Sequence, residues 1–119
     1  MKLAEYLDFT TGVGILSTAN NAGEVNAAVY SRPHILDRDI VAFIMRERLS
    51  RANLLENRQA HYLFLEENSK SRGLRLHLDM IEETDDIEEV KSFSRNRYLV
   101  TFKVTKVLAL LGPREIELE

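Results

Sequence analysis

Arg46, Arg48, Arg51 and Arg58 gather in the stretch "FIMRERLSRANLLENRQAHYLFLE" (43–66), around Ser50 and Asn53. Ser50 is placed to cap a helix, with Arg51, Ala52 and Asn53 as the first turn and Leu54 and Leu55 turned to a core. The first turn of a helix carries unpaired N–H groups and a partial positive charge, which suits a phosphate. Arg46 and Arg48, at the end of an apolar strand-like run, can add charge-assisted hydrogen bonds, and Arg51 and Asn53 can add donors from the helix. The same letters also describe a capped helix whose arginines pair with Glu47, Glu56 or water. Upstream, "VNAAVYS" (25–31) sets small Ala27 and Ala28 beside Asn26. That leaves backbone on which a flat ligand can stack, or equally a close contact between strands.

Other chemistries are narrowed by what the chain lacks. It has no cysteine, which excludes a disulfide framework, a thiolate zinc site, an iron–sulfur cluster and a cysteine nucleophile. His34, His61 and His77 are not spaced three or four apart, so no metal motif is predicted. The acids from Glu82 to Glu89 lack the loop spacing of an EF-hand and read as a solvated helix start. With 16 Lys plus Arg against 19 Asp plus Glu, the net charge of −3 argues against nucleic-acid binding. "MKLAEYLDFTTG" has acids among its apolar letters, unlike a signal peptide, and no apolar run reaches membrane-spanning length. No membrane and a cytoplasmic location are expected.

The elements that must position these residues follow from periodicity and turn chemistry. A short helix is predicted over 2–8 from Leu3, Tyr6 and Leu7, then strands over 12–19 and 25–31 joined by a turn at "NNAGE". Pro33 puts "RPHIL" (32–36) on an edge, at a bend or in an extended continuation, and "DRD" (37–39) is a turn. "IVAFIM" (40–45) is apolar on both alternating sets, as in a strand buried on both sides. "AHYLFLE" (60–66) is the next strand, and "ENSKSRG" (67–73) a loop. Leu74, Leu76, Leu78 and Met80 alternate with Arg75, His77 and Asp79, the period of a strand with one wet face. Thr84 reads as the start of a helix carrying Ile87, Val90 and Phe93 and ending near 94–96. "RYLVTFKVTKVLALLG" (97–112) is β-rich and long enough to bend and pair twice. The expected fold is mainly β: one domain over 1–119, a six-stranded antiparallel barrel with short flanking helices. In 119 residues a barrel leaves little room to enclose a sizeable ligand, which would then lie on a flank or between subunits.

The run 14–66, "GILSTANNAGEVNAAVYSRPHILDRDIVAFIMRERLSRANLLENRQAHYLFLE", resembles the pyridoxamine 5′-phosphate oxidase-like family of FMN-binding split β-barrels, especially its short members. "GLRLHLDMIEE" and "RYLVTFKVTKVLALLG" match its last strands more loosely. The resemblance implies a homodimer with FMN at the subunit interface. Asn26, Ala27, Ala28, Ile44 and Met45 would meet the isoalloxazine, and Arg46, Arg48, Ser50, Arg51 and Asn53 the phosphate. It implies a cytoplasmic oxidoreductase with a small-molecule substrate. The alternatives are a flavin electron-transfer protein serving redox partners, or a barrel holding haem or deazaflavin. Members active as pyridoxamine phosphate oxidases are longer and carry basic residues near a C-terminus that here reads "PREIELE", so that activity is not implied. Many members have a lysine in the phosphate segment where this chain has Ser50 and arginines. Of the histidines, His34, beside Pro33 and near Tyr30, is the best placed to approach a flavin ring, although a packed role is the plainer reading.

Overall fold

Alternating apolar letters become alternating burial along most strands. The computed structural model describes residues 1–46, 48–84 and 97–119. Helix α1 (Leu3–Phe9) buries Leu3 and Leu7, and strand β1 (Gly12–Ala19) buries Gly14, Leu16 and Thr18. Strand β2 (Val25–Tyr30) follows after a turn in which Gly23 takes φ +79°, a conformation that costs glycine nothing. Strand β4 (Ile40–Arg46) buries the consecutive Val41, Ala42 and Phe43, as its unbroken apolar run predicts. After helix α2 (Leu49–Glu56), strand β5 (Gln59–Glu66) buries Ala60, Tyr62 and Phe64, and strand β6 (Gly73–Thr84) buries Leu74, Leu76, Leu78 and Met80.

One strand is added to those expected, and the long last strand pairs twice as expected. "RPHIL" contains a strand of its own, β3 (His34–Asp37), which pairs His34 with Ala42 and Ile35 with Val41, so the sheet has seven strands rather than six. Pro33 sits just before β3, where its missing N–H costs no ladder bond. The last strand, β7 (Arg97–Ala109), pairs along one side with β4 and along the other with β6, so one long strand makes both pairings. Thr84 is the final described residue of β6, opposite Leu99. The helix expected after it falls on residues 85–96, outside the described residues.

All pairings are antiparallel, in the order β2-β1-β5-β6-β7-β4-β3. The two edges, β2 and β3, are consecutive in the chain and joined only by residues 31–33. Such a link spans at most about 14 Å, so the sheet must coil until its edges face each other without pairing. Tyr30 on β2 touches Phe43 on β4 across that gap, with ring centroids 5.9 Å apart. Phe43 also contacts Tyr62 at 5.1 Å and Phe102 at 5.8 Å, at the centre of the core. The α1 helix is held over the barrel by the Tyr6 hydroxyl, which donates to Glu66 at 2.6 Å, and α2 packs on β1, β2 and β4 beside the split. Among the described residues no helix is long and apolar enough to cross a membrane.

Candidate functional site

The split between the two edges opens a cleft of about 730 Å³, within the range of small-molecule sites. Asn26, Ala28 and Tyr30 reach it because they share the inward face of β2. Phe43, Ile44 and Arg46 come from β4, His34 from β3, and Arg48, Leu49 and Ser50 from the entry to α2. Arg97 arrives from β7, where antiparallel pairing sets it directly opposite Arg46. Arg32 completes a set of four arginines, and no carboxylate is among the described lining residues. Like charges opposite one another destabilise a sheet unless an anion lies between them.

Helix α2 begins two residues earlier than its sequence suggests. Arg48 holds the N-cap position in extended conformation and makes no side-chain capping bond. Ser50 lies inside the first turn, 3 % exposed. This corrects its assignment as the cap, and the physical reason is packing: Ser50 turns toward Tyr30 instead of back along the helix. Burial pushes the Tyr30 phenol above its ordinary value, partly offset by a hydrogen bond with Ser50 and by the charge of Arg48. The first N–H groups of a helix have no acceptor within the helix itself, and the Arg48 side chain supplies none here. Leu54 enters the core, whereas Leu55 is 57 % exposed, contrary to the expectation that both face inward.

The structure therefore brings together Asn26, Ala28, Ile44, Arg46, Arg48 and Ser50, and separates the other four candidates from the cleft lining. Ala27 occupies the alternate, outward face of β2. Met45 is fully buried in the core, the opposite face of β4 from Ile44. Arg51 donates twice to Glu83, at 3.0 and 2.7 Å, and its guanidinium lies 3.8 Å from the centre of the Tyr98 ring. Asn53, 3 % exposed, donates to the Thr18 hydroxyl at 3.1 Å and so ties α2 to β1.

Tyr30, Arg32, Phe43 and Arg97 line the cleft without having been singled out by sequence. For Arg97 no local signal exists, because strand pairing alone brings it to Arg46. Arg32 donates to the carbonyls of Leu7 and Thr10 at the end of α1, where a cation favours the helix dipole. It thereby anchors the link between the two sheet edges. Beneath the cleft, burial pushes the Tyr62 phenol up to about 12, and its hydroxyl donates to the Tyr30 carbonyl at 3.3 Å.

No family model and no curated protein matches the sequence. Solved structures do match the fold. An FMN-binding protein from Syntrophomonas wolfei superposes with TM-score 0.74 at 23 % identity, covering 95 % of this chain and 86 % of that one. HupZ of Group A Streptococcus gives TM-score 0.81 at 14 % identity, covering 98 % and 100 %. A protein related to general stress protein 26, of the pyridoxinephosphate oxidase family, from Clostridium acetobutylicum gives 0.67 at 13 %, covering 95 % and 89 %. At these identities the likeness is one of architecture, and the open, coiled seven-stranded sheet of this chain is the split β-barrel fold it shares with these FMN-binding and pyridoxinephosphate oxidase-family proteins.

Proposed function

We propose that the cleft binds FMN and that the protein is an oxidoreductase acting on a small molecule. The observation that carries this reading is the meeting of Arg46, Arg48 and Arg97 at the start of α2, in a cleft whose described lining holds four arginines and no carboxylate. That is a donor set for a phosphate, and the residues present fit one. Arg46 and Arg97 would hold its oxygens from two strands, while Arg48 and the first N–H groups of α2 approach from the helix. Asn26 can hydrogen-bond the polar edge of a flat ring, and Ala28 and Ile44 give it apolar contact without crowding. His34 stands exposed at the mouth, where it can donate or accept a proton as a substrate enters.

Bound flavin would supply the electron or hydride transfer. The chain's own part is to fix the phosphate, orient the ring and keep water from its buried side through Tyr30 and Phe43. A homodimer with the cofactor at its interface belongs to this reading. Val25 and Val29 on β2 are 81 % and 73 % exposed, an apolar edge beside the cleft that a second copy would cover.

Titration with FMN and with riboflavin tests the assignment. FMN is expected to bind more tightly by virtue of its phosphate, and Arg48→Ala with Ser50→Ala to remove most of that difference. Equal affinity for both ligands, or an unchanged affinity in the double variant, would refute the phosphate site. A purified protein carrying haem or deazaflavin instead would redirect the cofactor assignment, and flavin reoxidised only by protein partners would favour an electron carrier over an enzyme.

A further inference from the structure

On the outward face of the sheet, away from the cleft, His61 and His77 stand directly opposite each other on β5 and β6. Their ring centroids are 5.1 Å apart and their planes cross at 83°. Two imidazoles on one tetrahedral ion, each with its nitrogen about 2 Å from the metal, have ring centres about 5 Å apart. The observed separation, which an edge-to-face ring pair also has, is compatible with two ligands of a single ion. We propose that His61 and His77 form a binding site for a divalent late-transition-metal ion, one that fastens β5 to β6.

The surroundings are those of an open site. Ser17, Gln59, Thr105 and Asp79 line the same hollow of about 320 Å³. Ser17 is the neighbour of His61 on β1, and Asp79 follows His77 by two residues on the same face of β6. Among the described residues no third histidine or carboxylate completes a ligand cluster. Water would fill the remaining positions, with neutral oxygens around it. Position 105 is the extra residue of an irregularity in the β6–β7 register beside His77, and the Thr105 hydroxyl donates to the His77 carbonyl at 3.2 Å. Bulges of this kind commonly re-aim a side chain next to a binding site.

Charge at the hollow is compatible with a cation. Two basic residues flank the pair, Arg75 on β6 and Lys106, opposite His77 on β7. The Arg75 guanidinium is engaged by the carbonyls of Ala109, at 2.9 Å, and Gly112. The Lys106 amine lies 3.6 Å from Glu115. Both are drawn toward the C-terminal segment, while Asp79 brings a negative charge.

Zinc chloride titrated into the 119-residue protein by calorimetry, with thermal melting in parallel, tests the site. One ion per chain is expected, with at least tenfold weaker binding in His77→Ala and in His61→Ala, and a zinc-dependent rise in melting temperature that both variants lose. His34→Ala, which removes the remaining histidine, should bind like the parent. His77 is exposed, so its variant keeps the test valid if His61→Ala fails to fold. Undiminished binding in His77→Ala, or loss of binding in His34→Ala, would overturn the assignment. The flavin reading is independent of this outcome, because neither histidine lines the cleft.

Discussion

Arg46 and Arg51 are five positions apart and have different fates. Arg46 faces the cleft opposite Arg97, while Arg51 is committed to Glu83 and Tyr98. Arg97→Ala is expected to weaken FMN binding by about 10- to 100-fold, the scale of a lost hydrogen bond to a charged group. Arg51→Ala should instead lower stability by about 1–3 kcal/mol while leaving FMN affinity near that of the parent. Fluorescence quenching of FMN and urea denaturation measure the two effects on the same samples. The buried Thr18 and Asn53 make a third residue-level case, for Thr18→Val deprives the Asn53 amide of its acceptor and should cost about 1–3 kcal/mol in urea denaturation. Among the proposed cleft residues, Arg46 and Arg48 were legible in the sequence as a local run of charge. Arg97 was not, because it becomes their neighbour only through long-range pairing.

Strands carry the most legible part of the fold. In β1, β5 and β6 the period of two places core residues on one face, and the observed burial follows it. Less visible is why β1 contains Gly14. A Cβ there would stand 1.8 Å from the Tyr62 hydroxyl, so the missing side chain makes room for the ring beneath the cleft. Gly14→Ala should destabilise by about 1–3 kcal/mol through overpacking, read in the denaturation midpoint. At the outer face of β5, the depressed His61 imidazole sets a pH dependence. The unfolded chain takes up that proton more readily than the folded one, so the contribution is fully present above the ordinary histidine value and is lost as pH falls below it. Melting temperature is therefore expected to drop between about pH 7.5 and 5.5, and to drop less in His61→Gln. An equal drop in both proteins would show that other groups set the acid sensitivity.

For the whole molecule, the decisive feature is that β2 and β3 are adjacent in the chain and at opposite edges of the sheet. Coiling brings them face to face, and the cleft is the space left where they do not pair. If a second copy covers Val25 and Val29, light scattering should give a mass of twice the chain, and Val29→Asp should shift it toward one. The same variant should weaken FMN binding if the partner helps to enclose the ligand, whereas a dimer that persists with the charge would place the interface elsewhere.

By itself the sequence determined the class of most elements and the absence of thiol chemistry, it offered an edge among three places for the segment after Pro33, and it grouped Arg46 and Arg48 just before α2. These are local matters of periodicity, turn chemistry and composition, which neighbouring residues decide among themselves. Tertiary structure alone decided that Ser50 packs against Tyr30 rather than capping the helix, that Met45, Arg51 and Asn53 turn away from the cleft, and that Arg97 joins Arg46. It also set His61 against His77, a pair that spacing along the chain had argued against as a metal site. In an antiparallel sheet such meetings depend on strand order and register, and those are fixed by how the entire core packs.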